Sequence, residues 1–337
     1  MPEKILIVKP SSLGDIIHSL PVLNAIKKFR PHSEVHWVID RGYEELLRNH
    51  PLVNRTIVIN KDNWRRPLRG IKTLMELKRL LGQLRAEGYD TVIDLQGLFR
   101  SGIITFVTSA PLRIGFEDAR ELSPLFYSRK VRVERELHAV RRNLKLLKAI
   151  GIETDEAVFP FPETEDSGLE KPYYVVVSGA RWKTKQWPLE YFAGFINALS
   201  GEDGRDLFKG ARAVLVGSVA DEGITRRISL MTGGNAINMA GKTGLRELIS
   251  IIKGASFVIA NDSGPMHIAA ALNVAVFAVF GPTSEALTGP YGMEGNVLSA
   301  PVPCRPCFRR DCKTVQCMKD VSPEELIRRV VDYYKKI

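Results

Sequence analysis

The chain has 337 residues, 45% of them hydrophobic and 26% charged, with a formal net charge of +10. This length calls for two domains of about 150 residues rather than one core, and the composition is that of a folded globular protein. No apolar run approaches the roughly 20 residues of a membrane span, and the charge is uneven: residues 1–150 carry 27 Lys and Arg against 16 Asp and Glu, residues 151–337 carry 21 against 22.

In chain order, strand-like runs at 4–8, 34–39, 55–59 and 90–94 alternate with helical patterns near 16–29, 42–48, 69–86 and 98–108. A helix over 137–150 closes the first half, and a Pro- and Glu-rich stretch at 160–172 follows. Strands at 173–178, 212–217, 256–260 and 274–280 then alternate with helices near 188–199, 220–231, 244–253 and 265–272. An amphipathic helix over 323–336 ends the chain and can pack back on either domain. This βα alternation predicts an α/β protein with doubly wound parallel sheets, whose ligands lie at the carboxyl ends of strands. The expected domains are 1–165 and 166–320, with 321–337 as a closing helix. The apolar run at 5–8 is too short for a signal-peptide core, so the chain is expected in the cytoplasm with reduced cysteines.

Two polar turns join a buried strand to a helix. Asp262-Ser263-Gly264-Pro265-Met266-His267 follows the run at 256–260 and opens a small-residue helix. Helix-start N–H groups and the positive dipole end favour an anion there, and Gly264 lets the backbone approach it. Lys9-Pro10-Ser11-Ser12-Leu13-Gly14-Asp15 has the same context near the amino terminus. Two such turns about 250 residues apart predict a ligand held between two domains. Asp15 alone reads as an acid complementing a helix dipole; Ser11, Ser12 and Lys9 tilt it toward a general base for an incoming hydroxyl. His18, one turn on, is the competing base, and a structural role suits it better.

Lys183 and Lys185, between Trp182 and Trp187 in a post-strand loop, suit neutralisation of a diphosphate. Glu222 is the type of group that binds ribose hydroxyls, and His267 beside Gly264 favours ligand contact. Arg65, Arg66, Arg113, Arg120 and the arginines of 129–142 give the first half an anion-seeking surface. No G-x-x-x-x-G-K-[ST] loop, no G-x-G-x-x-G in the first βα turn and no Asp-x-Asp pair occurs. Nucleotide hydrolysis on a P-loop, dinucleotide redox chemistry and a metal-chelating aspartate pair are thereby disfavoured.

Together, Val8–His18 (Val-Lys-Pro-Ser-Ser-Leu-Gly-Asp-Ile-Ile-His), Val92-Ile93-Asp94-Leu95-Gln96-Gly97-Leu98, Lys185-Gln186-Trp187-Pro188 and Asp262–His267 resemble the bacterial ADP-heptose:lipopolysaccharide heptosyltransferases nearly end to end. Trp64-Arg65, Ala119-Arg120-Glu121, Leu125-Phe126-Tyr127-Ser128-Arg129-Lys130 and His138-Ala139-Val140 look like the type I enzymes, which act on the innermost Kdo. The resemblance implies a GT-B fold, two Rossmann-like domains with parallel sheets facing across a cleft, and inverting, metal-independent transfer of heptose from ADP-heptose. It implies Asp15 as catalytic base and Ser11, Ser12, Gly14, Lys185, Glu222, Asp262, Ser263, Gly264 and His267 as donor-binding. Arg65, Arg66, Arg113 and Arg120 would meet the anionic Kdo-lipid A acceptor at the inner membrane surface, with no transmembrane segment. A type II enzyme or another inner-core glycosyltransferase is the nearest alternative.

All four cysteines lie in Cys304-x2-Cys307-x4-Cys312-x4-Cys317. The spacing allows a structural zinc or iron–sulfur site, with reduced thiols as the competing reading; no other cofactor is expected. A basic protein without catalysis, binding nucleotide or nucleic acid, is the alternative of another class. The first half shows no aromatic-interleaved RNA pattern or recognition helix, so no nucleic acid partner is expected.

Overall fold

The computed structural model describes residues 2–60, 71–200, 208 and 210–336, with 71–74 described as backbone. The chain divides into two compact units, Met1–Glu163 and Thr164–Ile337. In the first, β1 (Lys4–Val8), α1 (Leu13–Ile17), α2 (Leu20–Phe29), β2 (Glu34–Asp40), β3 (Arg55–Ile59), α3 (Ile71–Ala86), β4 (Thr91–Asp94), α4 (Phe99–Val107), β5 (Leu112–Phe116), β6 (Arg129–Val131) and α5 (Ala139–Lys145) follow one another. The strands form one parallel sheet in the order β3-β2-β1-β4-β5-β6. Parallel strands covered on both faces need apolar side chains throughout. Ile5, Leu6, Ile7 and Val8 supply them and are fully buried.

The second unit runs β7 (Tyr173–Val177), α6 (Leu189–Ser200), β8 (Arg212–Val216), α7 (Glu222–Met231), β9 (Ala236–Asn238), α8 (Leu245–Gly254), β10 (Val258–Asn261), α9 (Gly264–Ala271), β11 (Val276–Phe280), α10 (Glu285–Thr288), β12 (Val297–Ser299), α11 (Gln316–Lys319) and α12 (Pro323–Tyr334). Its parallel sheet has the order β12-β11-β10-β7-β8-β9. Counted from its own first strand, this is the order of the first sheet. In each, the chain moves outward from the first strand on one side, then returns to pair the fourth strand on the other. That reversal makes a switch point, where loops on either side part and leave a crevice at the carboxyl edge. The switch lies between β1 and β4 in one unit and between β7 and β10 in the other.

Aromatic packing builds the second core, with Tyr174 stacked on Phe257 at 4.8 Å and 8°. The closing helix α12, for which the sequence left the first domain open, packs on α6 and β11 of its own unit. Its Leu326 and Val330, one turn apart, are buried, and Ser322 caps it by accepting from the Glu325 N–H at 3.2 Å. The helical pattern at 16–29 is two helices, because Pro21 has no N–H to continue the first and instead sits in the opening turn of the second. The pattern at 42–48 forms a 3-10 segment, Arg41–Leu46, and 137–150 splits into α5 and a 3-10 segment, Leu146–Ile150. Among the described residues no helix is long and apolar enough to cross a membrane.

Candidate active site

In the first unit, the loop after β1 is pinned from beneath. Lys9 is buried and its Nζ donates to the Leu95 carbonyl at 2.8 Å, while Trp37 Nε1 donates to the Lys9 carbonyl at 3.1 Å. The Ser11 N–H reaches Gln96 Oε1 at 3.3 Å. The β1 and β4 loops are thus tied together across the switch point. Asp15 is half-buried in the first turn of α1, and one carboxylate oxygen accepts from the Ser12 N–H at 2.9 Å and the Ser12 hydroxyl at 2.7 Å. Two donors on one oxygen fix the direction of the carboxylate, as general-base geometry requires. His18 is buried, with its ring 5.1 Å from that of His138 in an edge arrangement.

Sequence reasoning gave Asp94 no role. It ends β4, is fully buried, and accepts from the Gln96 and Gly97 N–H groups at 2.9 and 3.0 Å and from the Tyr127 hydroxyl at 2.7 Å. Burial raises its pKa, outweighing these hydrogen bonds. Asp94 shapes the Gln96 loop on which Ser11 rests. Gly115 makes room for this: a Cβ there would lie 2.2 Å from the Tyr127 ring. The signal in the sequence was an acid at the end of an apolar strand, followed at once by a loop with Gly97 at φ 64.

In the second unit, Lys185 and the Asp262–Gly264 turn come together across the other switch point. Lys185 Nζ lies 2.6 Å from Asp262 Oδ2, with the two side chains 16% and 6% exposed. The Thr283 hydroxyl donates to the same oxygen at 2.6 Å, and the ammonium sits 4.6 Å from the Trp182 ring centroid. Asn261 braces the pair of loops, accepting from the Trp187 N–H at 3.0 Å and donating to the Ser178 carbonyl at 2.8 Å. Helix α9 opens at Gly264 with Ser263 as its cap, and the buried Ser263 Oγ has no hydrogen-bond partner. An orphaned hydroxyl at a helix start beside a cation is a ready acceptor and donor for a phosphate. His267 is buried in the first turn of α9.

Glu222 begins α7 at the same carboxyl edge, its carboxylate against Gly241, where a Cβ would lie 2.1 Å from Oε1. Asp221, which the sequence reading passed over, packs on Gly179, where a Cβ would lie 2.3 Å from its Oδ1. It also accepts from the Ser218 N–H at 2.8 Å and hydroxyl at 2.7 Å, holding Glu222 in place. Arg120 is exposed on the loop after β5, with its N–H on the Gly97 carbonyl at 3.0 Å. Arg113 is not in that group. It pairs in register with Val92 early in the sheet, and its guanidinium lies 5.9 Å from the Phe106 ring. Arg65 and Arg66 fall outside the described residues.

The four cysteines are free thiols; Cys304 and Cys312 are exposed, Cys307 is intermediate and Cys317 buried. Burial, then the neighbouring Cys304, raise the Cys317 pKa. The structural metal that the spacing allows finds no converging set of cysteine ligands among the described residues. Among the described residues, the three metal-type ligands that converge within 4.8 Å are Glu34, His36 and Glu87. Glu87 is already paired with Lys4 and Arg55 at 3.0 and 2.7 Å, and the two His36 ring nitrogens lie 2.9 Å from the Tyr89 hydroxyl and 2.9 Å from Glu34.

Comparison with known proteins agrees with this layout. Residues 77–318 match the model for glycosyltransferase family 9 (heptosyltransferase). Lipopolysaccharide heptosyltransferase 1 of Pseudomonas aeruginosa is 32% identical over 323 residues, covering 92% of this chain and 87% of that protein. The enzyme of the same name from Escherichia coli K12 is 30% identical, covering 88% and 94%. The structure of E. coli heptosyltransferase WaaC with ADP superposes with a TM-score of 0.79 at 27% identity, over 98% of this chain and 99% of that one. The two parallel six-stranded sheets are of the GT-B type. The chain belongs to glycosyltransferase family 9, the heptosyltransferases.

Proposed function

We propose that this protein transfers heptose from ADP-heptose to the innermost Kdo of a lipid A-linked acceptor, with inversion and without a metal ion. The observation that carries the reading is the chemistry at the switch point of each unit taken by itself: an oriented carboxylate in one, a cation at a helix start in the other. Asp15 takes the proton of the acceptor hydroxyl as its oxygen attacks the anomeric carbon. The bond to ADP breaks on the opposite face, and the developing charge on the diphosphate is met by Lys185 and the N–H groups at the start of α9. The Asp262 carboxylate, already engaged with Lys185 and Thr283, acts by holding the lysine. Asp262 therefore meets the donor through the backbone of its turn, with Ser263 and Gly264. His267 and Glu222 meet the donor, the latter at the ribose, and Ser11, Ser12 and Gly14 complete the donor-binding set. Arg120, with Arg65 and Arg66, meets acceptor carboxylate and phosphate. The reading also places the protein in the cytoplasm, at the inner face of the membrane.

Support comes from the relatives named lipopolysaccharide heptosyltransferase 1, and from a WaaC structure that holds ADP. The test is ADP release and product mass with ADP-heptose, offering Kdo-lipid A and, separately, the same acceptor already carrying one heptose. Transfer to the first alone, undiminished by EDTA, is expected. Transfer only to the second would make the protein a type II enzyme, and no transfer to either would remove the reading.

A further inference from the structure

The first unit carries an apolar ridge that its own core does not use. Phe99 and Phe106, two turns apart on one face of α4, are 43% and 56% exposed. Leu122 and Leu125, on the turn that crosses the helix, are 69% and 72% exposed. Phe126 makes these one surface. Its ring lies 5.6 Å from that of Phe99 and 5.9 Å from that of Phe106, over Gly102, where a Cβ would come within 2.4 Å of it.

The backbone is built to hold the leucines outward. Glu121 and Leu122 are consecutive left-handed residues, φ 56 and 61, a conformation that costs energy for a side chain with a Cβ. The Glu121 carboxylate accepts from the Phe99 N–H at 3.3 Å, tying the turn to the start of the helix. Chains do not ordinarily accept strain to place leucine in water.

Cations border the ridge. Arg100 is exposed beside Phe99, and Arg113 lies over Phe106 with its guanidinium donating to the Phe126 and Ala110 carbonyls at 3.0 and 2.6 Å. Exposed Arg129 and Lys130 follow on the edge strand β6. Among the described residues none of these four has a carboxylate partner, whereas Arg135 and Arg142 of the same unit both pair with Asp118. Positive charge is left open where the apolar surface is. A symmetric contact between two copies would set these cations against one another.

We infer that this ridge is a membrane-docking surface for an anionic lipid bilayer, with Leu122, Leu125, Phe99 and Phe106 at the headgroup boundary and the bordering cations on lipid phosphate. Apolar side chains entering the interface plus basic residues within a Debye length of it are the two contributions that hold peripheral proteins to membranes. The inference depends on the proposed function for its purpose, delivery of the enzyme to a lipid-borne acceptor, and not for the binding itself.

The test is flotation of the full chain with vesicles, without donor or acceptor. Partition is expected onto vesicles containing phosphatidylglycerol and only weakly onto pure phosphatidylcholine. Leu122→Ser with Leu125→Ser should lower partition at least tenfold, since each leucine side chain contributes separately, and Arg100→Gln about fivefold. Both sites are exposed, and an unchanged circular dichroism melt shows that the variants fold. The leucine variant should keep wild-type transfer to a deacylated, water-soluble acceptor and lose it to acceptor embedded in vesicles. Equal partition of wild type and leucine variant overturns the inference, as does light scattering that shows a wild-type dimer which the leucine changes dissociate. If no heptose transfer is found but vesicle binding tracks these residues, the proposed function fails while the docking surface stands.

Discussion

The two units share one strand order, yet the same positions on their carboxyl edges carry opposite chemistry. After the first strand, one unit places a carboxylate, Asp15, held by Ser12; the other places a cation, Lys185, held by Asp262. At the end of the fourth strand both bury an aspartate. Asp94 is satisfied by backbone N–H groups and the Tyr127 hydroxyl, with its proton affinity raised by burial. Asp262 is satisfied by an ammonium and a hydroxyl. A doubly wound sheet supplies the crevice, and the loops alone decide whether it presents a base or an anion site.

The sharpest way to break this comparison is at its two named poles. Asp15→Asn should lower kcat by about 10²–10⁴-fold, the usual worth of a positioned base, while calorimetry finds ADP affinity unchanged. Near-normal turnover in that variant, with His18→Ala inactive, would move the base to the histidine. Lys185→Ala should raise the Kd for ADP at least tenfold, since a charged hydrogen bond contributes about 1.5–3 kcal/mol. It also leaves Asp262 buried without its cation. Lys185→Ala combined with Asp262→Asn should therefore recover thermal stability but not ADP affinity; recovery of both would make the pair purely structural.

Two smaller effects sharpen the description of the first unit. Gly115→Ala drives a Cβ into the Tyr127 ring, an overpacking worth about 1–3 kcal/mol and a fall in Tm of roughly 2–10 °C. An unchanged Tm would show that Tyr127 is free to give way. Asp94→Asn tests the buried carboxylate by its pH dependence. The folded pKa is raised above the ordinary 3.8, so the folded state binds the proton more tightly than the unfolded state. The contribution of Asp94 is most favourable below that value, declines as pH rises from 3.8 toward the folded pKa, and is constant above it. The asparagine variant lacks this slope. Denaturant midpoints of the two proteins should therefore differ in a pH-dependent way within that window and by a constant amount above it.

Much of this fold was legible along the chain. Runs such as Ile5-Leu6-Ile7-Val8 and Phe257-Val258-Ile259-Ala260 are buried on both faces, and a parallel sheet under helices asks for that. Asp15 and Asp262 could be found because each stands in a polar turn directly after such a run. The short strands β5, β6, β9 and β12 were not legible. β6 and β9 have three residues each, too few for a pattern, and β5 contains Gly115, which reads locally as a breaker. Its purpose appears only when Tyr127, distant by 12 positions, crosses it to reach Asp94.

Local sequence thus determined where the longer buried strands lie, which turns could hold an anion or a base, and which half of the molecule is basic. Those properties depend on side chains within a few residues of one another. Tertiary structure alone decided that Lys185 pairs with Asp262, 77 positions away, that Asp221 packs on Gly179, and that Arg113 lies with Phe106 rather than near Arg120. It also decided that Leu122 and Leu125 face outward. Pairings of this kind follow from strand order and register, which bring together loops that nothing in their own sequence connects.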